Sequence, residues 1–118
     1  MRIDTNNNGL FEVCSEKEIS DFFENMPNDI NEMWLSQKEY PCMAILIHGE
    51  YANVHFFLDE CNMWQSVGNC DTDMEFIMNG TAQIISKEYI IPLKKAVEGA
   101  KFFWLSEEKP DCIEREEL

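Results

Sequence analysis

The 118-residue sequence is short of positive charge: nine lysines and arginines stand against 23 aspartates and glutamates, a formal net charge of −14. Phosphate binding needs clustered Lys and Arg, so this balance argues against nucleic acid or an anionic membrane as partner. Histidine is scarce, with only His48 and His55. The five cysteines (Cys14, Cys42, Cys61, Cys70, Cys112) are scattered with no C-x-x-C pair, which excludes a zinc ribbon or a thioredoxin motif. They read as reduced thiols, most of them packed as small apolar residues. No hydrophobic run approaches the ~18 residues of a transmembrane helix, and Met1 opens a polar segment with Asp4 and Asn6 where a signal peptide would be basic and then apolar. The expected compartment is the cytosol. Internal repeats, low-complexity tracts and Pro/Gly-rich linkers are also missing.

What remains is enough for one core. Hydrophobic residues make up 45% of the chain, and its length fits a single domain spanning 1–118. The core is expected to run from about residue 10 to 105. The segment 106–118 carries Glu107, Glu108, Asp111, Glu114, Glu116 and Glu117 and is expected to be a solvated, partly ordered acidic tail.

Local patterns give the elements. Asn6-Asn7-Asn8-Gly9 signals a turn between a short strand around Ile3 and another at Leu10–Val13. Ser15 with Glu18 makes a capping box, and Ile19, Phe22, Phe23 and Met26 form one helical stripe that Pro27 stops. Ile30, Met33 and Trp34 suggest a second, shorter helical turn over 28–34. Residues 41–58, PCMAILIHGEYANVHFFL, alternate as a hairpin about Gly49-Glu50, followed by a short strand over 63–66. Asn79-Gly80 between 74–78 and 81–85 marks a second hairpin, because both residues tolerate the positive φ of a type I′ turn. Pro92 opens a last helix with Leu93, Ala96, Val97, Ala100 and Trp104 as its apolar stripe and Gly99 closely packed on the sheet. The fold class is therefore α+β: a mainly antiparallel sheet built from hairpins, with helices packed on one face.

Catalytic and metal chemistry find little support. In the register that places Ile47 opposite Ala52, the two histidines are four positions apart, about 13 Å, too far for one zinc ion. Cys42 and His55 are diagonal neighbours within reach of each other, so a small thiol-dependent enzyme is the alternative reading. No recognisable cysteine-enzyme signature surrounds the pair. Asp71-Thr72-Asp73-Met74-Glu75 starts like an EF-hand loop, but Phe76 stands where Gly is required. No P-loop, dinucleotide fingerprint, nucleophile elbow or H-E-x-x-H motif occurs. Neither a cofactor nor a metal is expected.

The hairpin PCMAILIHGEYANVHFFLDE, then NMWQSVGN, EFIMNGTAQIIS and IIPLKKAVEGAKFFWLSEEKPDCIE, together resemble the deaminase-associated immunity-protein family of bacterial polymorphic toxin systems. The pattern is also similar to some immunity proteins of contact-dependent growth inhibition. The likeness covers roughly residues 10–114, with Gly68, Gly80, Pro92, Ala96, Ala100, Pro110 and Ile113 as matching points. It departs at Arg115, where similar members carry Trp. The resemblance implies a non-enzymatic, cytoplasmic inhibitor that binds the C-terminal toxin domain of a cognate effector, a nuclease or nucleic-acid deaminase, and blocks its active site or substrate route. A toxin that holds phosphate backbones is basic, so the −14 charge complements it. The expected toxin-binding residues are the acidic loops and exposed aromatics: Glu50, Tyr51, Asp59, Glu60, Trp64, Asp71, Asp73, Glu107 and Glu108. In isolation the protein is expected to be a monomer or weak homo-oligomer. An acidic adaptor for some other basic protein is the remaining alternative.

Overall fold

The computed structural model describes residues 1–5 and 8–118; of the expected N-terminal turn, Asn6 and Asn7 lie outside the described residues. In chain order the elements are β1 (Arg2–Thr5), β2 (Gly9–Glu12), α1 (Glu16–Asn25), β3 (Glu32–Ser36), β4 (Cys42–His48) and β5 (Tyr51–Phe57). They continue with β6 (Met63–Ser66), β7 (Met74–Met78), β8 (Thr81–Ile85), β9 (Ile91–Pro92), α2 (Leu93–Ser106) and β10 (Arg115–Glu117). One antiparallel sheet runs β10–β6–β5–β4–β3–β1–β2, with β9 added beside the start of β5; β7 and β8 pair only with each other. The α+β class read from the sequence holds, with both helices on one face. Among the described residues no helix is long and apolar enough to cross a membrane.

The central hairpin keeps the expected register: Met43 opposite Phe56, Ile45 opposite Val54 and Ile47 opposite Ala52 on one face, Cys42 opposite Phe57, Ala44 opposite His55 and Leu46 opposite Asn53 on the other. Gly49 turns it with a positive φ of 61°. Capping of α1 also follows the expectation. Ser15 Oγ accepts from Glu18 N at 3.1 Å, while Glu18 Oε2 accepts from Cys14 N and Ser15 Oγ at 3.3 Å each.

The helical turn expected over 28–34 is not formed; Glu32–Ser36 is a strand paired on both sides, with β1 and β4. Met33 and Leu35 point to the helices and Trp34 to the opposite face. The same apolar residues fit either period in so short a run, and two hydrogen-bonded neighbours outweigh the local pattern.

The apolar stripe of α2 is rotated from the expected one. Ala96, Gly99, Ala100 and Phe103 are buried, and Leu93, Val97 and Trp104 lie at the flanks. The rotation has a cause in the C-terminal segment, which is no solvated tail. Pro110 and Ile113 are buried, a side chain at Gly99 would strike Ile113 and Met43, and β10 pairs with β6. The acidic composition of 106–118 conceals two core residues, and a strand forms despite Arg115. The core accordingly extends past the expected 10–105 to Met1 at one end and Ile113 at the other.

β4 is apolar on both faces, so the face away from the helices also needs cover. The β7–β8 hairpin supplies it over half the sheet, joining Phe76 and Ile90 to Leu46 in a second small core. Asn79 and Gly80 turn it with φ of 53° and 78°. The buried Glu32 carboxylate fastens it, accepting from Asn79 N at 2.8 Å and from Trp34 Nε1 at 3.0 Å.

Gly68 lets the connection after β6 meet the segment before α2: its N–H donates to Glu88 O at 2.8 Å, and a Cβ there would collide with the Ile90 carbonyl. Gly68→Ala is expected to cost about 1–3 kcal/mol or more in urea unfolding, since the obstacle is backbone that cannot rotate away. Ile113→Ala is expected to cost about 2–5 kcal/mol, where a solvated tail would give nearly no change.

Candidate functional site

Among the described residues, the other half of the helix-free face is covered by its own side chains. Trp34 of β3 and Phe57 of β5 stack with ring centroids 5.4 Å apart at 28°, and His55 lies 6.3 Å from Phe57 at 23°. Ala44 beneath them is 2% exposed, its small side chain leaving room for the rings to close over it. Cys42 flanks the ladder on β4, and Met63 and Gln65 extend it onto β6. All three rings are partly exposed on their outer side.

Carboxylates border this patch. Asp4 stands opposite Trp34 on β1, and Glu116 opposite Gln65 on β10, both exposed on the same face. Partial desolvation, then Cys42 and the charges of Glu39, Glu60 and Asp59, push the Tyr40 phenol above its ordinary value, so these acids gather around its ring. The Tyr89 phenol is raised in the same sense, by Glu116 first and Glu88 next. Arg2 is the one basic residue on the sheet positions of this face among the described residues. Tyr40 and Leu58 are exposed at the lower rim.

The same end of the molecule receives the C-terminus of α2, since Gln37 Nε2 donates to Trp104 O at 3.4 Å across the β3–β4 loop. That last turn holds no basic residue, and Glu107 closes the helix in the left-handed region with φ 55°. Two local rules are broken together. Carboxylates sit at the negative end of a helix dipole, and a non-glycine residue occupies a conformation glycine prefers.

The nine residues expected to bind a toxin do not converge. Asp59, Glu60, Glu107 and Glu108 fall at the lower end, where Leu58, Glu107, Glu108 and Asp111 wall a 380 Å³ hollow together with Lys109 and Arg115. Glu50 and Tyr51 are at the opposite end of the central hairpin, about 20 Å away along β5. There they border an open groove between α1 and α2 with Phe23, Leu93 and Val97. Asp71 and Asp73 precede β7; Asp73 Oδ1 accepts from Lys87 N at 2.8 Å. Trp64 lies on the helix side, packed on Phe56, with Lys109 Nζ 3.9 Å above its ring. That ring is no open anchor. Trp34, Glu39, Tyr40, Phe57 and Glu116 are the residues sequence reasoning missed; reading 32–36 at period two would have set Trp34 beside Ala44 and Phe57.

The Cys42 and His55 pair is diagonal as expected, but its chemistry runs against a nucleophile. Burial first, then Glu39, push the Cys42 thiol up, while burial pushes His55 down. An activated pair needs the reverse, a lowered thiol and a raised imidazole. His55 Nδ1 has no hydrogen-bond partner among the described residues, so the thiol does not engage it.

Asp59 organises the β5–β6 turn: Oδ1 accepts from Cys61 N at 2.8 Å, Asn62 N at 2.9 Å and Asn62 Nδ2 at 3.0 Å. The Cys61 N–H first, and then the Asn62 side chain, hold its carboxyl below the usual range.

No protein-family model matches this chain, and no curated protein sequence matches it.

Two outcomes follow from this geometry. Under limiting iodoacetamide at neutral pH, peptide mass spectrometry is expected to find Cys14 and Cys61 modified first and Cys42 last; early labelling of Cys42 would indicate the activated thiol that the geometry opposes. Because folding depresses the Asp59 pKa, its contribution is present above the unfolded value near ~4 and is lost as pH falls through the folded one. Asp59→Asn is expected to lower stability by a constant amount above pH ~6 and to flatten the acid limb, the difference from the unsubstituted protein vanishing at low pH.

Proposed function

We propose that this chain is an immunity-type inhibitor, a non-catalytic protein that binds a basic bacterial toxin domain and occupies the surface with which that domain would hold nucleic acid. The observation that carries this reading is the set of carboxylates collected at one end of the molecule: Glu39, Asp59 and Glu60 around Tyr40, and Glu107 and Glu108 at the C-terminus of α2. Glu107, an acid at the C-terminus of a helix with a left-handed φ, breaks a local stability rule, and such positions are expected at functional sites. A −14 charge supplies the long-range attraction, and the lower rim with the aromatic half-face supplies the contact area. The resemblance noted from the sequence points to the same partner class, with a nuclease or nucleic-acid deaminase as the toxin.

Of the residues expected from the sequence, Asp59, Glu60, Glu107 and Glu108 belong to this surface. Glu50 and Tyr51 face the α1–α2 groove, and Asp71 and Asp73 the β7 side, too far off to share one compact footprint with it. The acidic adaptor shares the same surface and differs only in partner, so the partner decides between them.

The test is to establish whether the adjacent reading frame encodes a toxin domain and to co-express the chain with it. A stoichiometric complex and survival of the host are expected; free toxin activity in the presence of excess protein would contradict the proposal. Reversals at Glu60 and Glu108 to Lys are expected to slow association several-fold at low salt and much less at high salt, measured by stopped flow. Glu107→Asn is expected to stabilise the free protein by up to about 1 kcal/mol, relieving both the dipole conflict and the left-handed strain. Its association is expected to weaken at the same time, and a gain in both would remove the argument from misplaced acids.

A further inference from the structure

The aromatic half-face has the composition of a receptor for one chemical group. Three rings, Trp34, Phe57 and His55, lie nearly parallel to their neighbours, with interplanar angles of 28° and 23°. Stacked rings cover one another's inner faces, so a planar group has the outer face at either end of the ladder, on Trp34 and His55, both partly exposed. The π-faces are the negative side of each ring; Asp4 and Glu116 share their face of the sheet, and Glu39 acts on Cys42 at the ladder's flank. Burial holds His55 neutral, so the ladder adds no positive charge of its own. Arg2 is the opposing charge, at the β1 margin beyond Asp4.

Other places in the molecule fit less well. The α1–α2 groove has a volume of 720 Å³, but its charges are mixed: Glu24, Glu50 and Glu98 with Lys94 and Lys101. Trp64 already carries Lys109. The free edge of β8 presents Ile84 at 67% exposure with no charged residue in the strand, and nothing in the fold selects what would pair with it.

We infer that the Trp34–Phe57–His55 ladder is an arginine site: it takes a guanidinium group from a basic segment of the partner protein, stacked on an outer face of the ladder and paired at its edges with the carboxylates on that side of the sheet. Guanidinium is planar and more weakly hydrated than ammonium, so it loses less on stacking and still presents N–H donors in its plane. A lysine reaches the same carboxylates as a point charge but gains less from the rings. The inference rests on the reading that the partner is basic. It goes further in naming the side chain that the partner must bring and the residues that receive it.

The test needs no toxin. A nonapeptide of alternating arginine and serine, and its lysine counterpart of equal charge, are titrated into the isotope-labelled protein and followed by NMR. The arginine peptide is expected to bind at least about threefold more tightly than the lysine peptide, with the largest shifts in the Trp34 indole and the His55 and Phe57 ring signals. Phe57→Leu, which keeps an apolar side chain on β5, is expected to abolish the preference for arginine while leaving the salt-dependent binding of both peptides. His55→Gln is the second variant should Phe57→Leu disturb the fold, and is expected to reduce the preference. Equal affinity for the two peptides, or shifts confined to the α1–α2 groove, would overturn the arginine site. If a toxin complex forms and Phe57→Leu leaves its affinity unchanged, the site fails while the inhibitor reading stands; if the peptides discriminate but no toxin binds, the reading fails while the site stands.

Discussion

The fold turns on the fact that β4 is apolar on both faces. Met43, Ile45 and Ile47 require cover on one side, and Cys42, Ala44 and Leu46 on the other. Burying apolar surface contributes roughly 25 cal/mol per Å², so a strand with two such faces cannot be left half open without large loss. The two helices meet the first demand. The second is met in two different ways, by a folded-back hairpin over Leu46 and by a ladder of rings over Ala44. The functional proposal concerns the half that the rings cover.

That division sets the mechanical character of the two halves. The hairpin half is closed and fixed, with Phe76 and Ile90 buried and Glu32 binding both Asn79 N and Trp34 Nε1. Truncating Glu32 would leave two donors unsatisfied in a buried place, a cost of about 1–3 kcal/mol each. The same carboxylate that anchors the hairpin orients Trp34, so the rigid half positions the first ring of the open half. A surface pre-set in this way loses less side-chain entropy when a partner docks.

Much of this was legible in the sequence, and for local reasons. The β4–β5 register follows from strict alternation about Gly49-Glu50, α1 from Ser15 with Glu18, and the second hairpin from Asn79-Gly80. What was hidden depended on tertiary partners. Trp34 sits in a run too short to separate helical from extended spacing, and its strand exists because β1 and β4 flank it. Pro110 and Ile113 are two apolar residues inside a run of acids, so composition alone places them in solvent. The candidate surface was hidden for a compounded reason: knowing which half of the face stays open requires knowing where β7–β8 folds back, and no local pattern in 74–85 states that. Of the nine residues chosen by charge and aromaticity, four lie on the surface now proposed, because net charge reports the sign of a partner and not the place where it docks.

The central claim is that a basic partner covers the acidic lower rim and the aromatic half-face. Hydrogen–deuterium exchange on the chain, alone and saturated with a basic toxin domain that it is found to bind, tests it most directly. The account expects new protection in the β3–β4 loop, the β5–β6 loop, β6 and the segment after α2, with α1 and β7–β8 unchanged. Protection centred on the α1–α2 groove at Tyr51 and Leu93, or on β8, would contradict it.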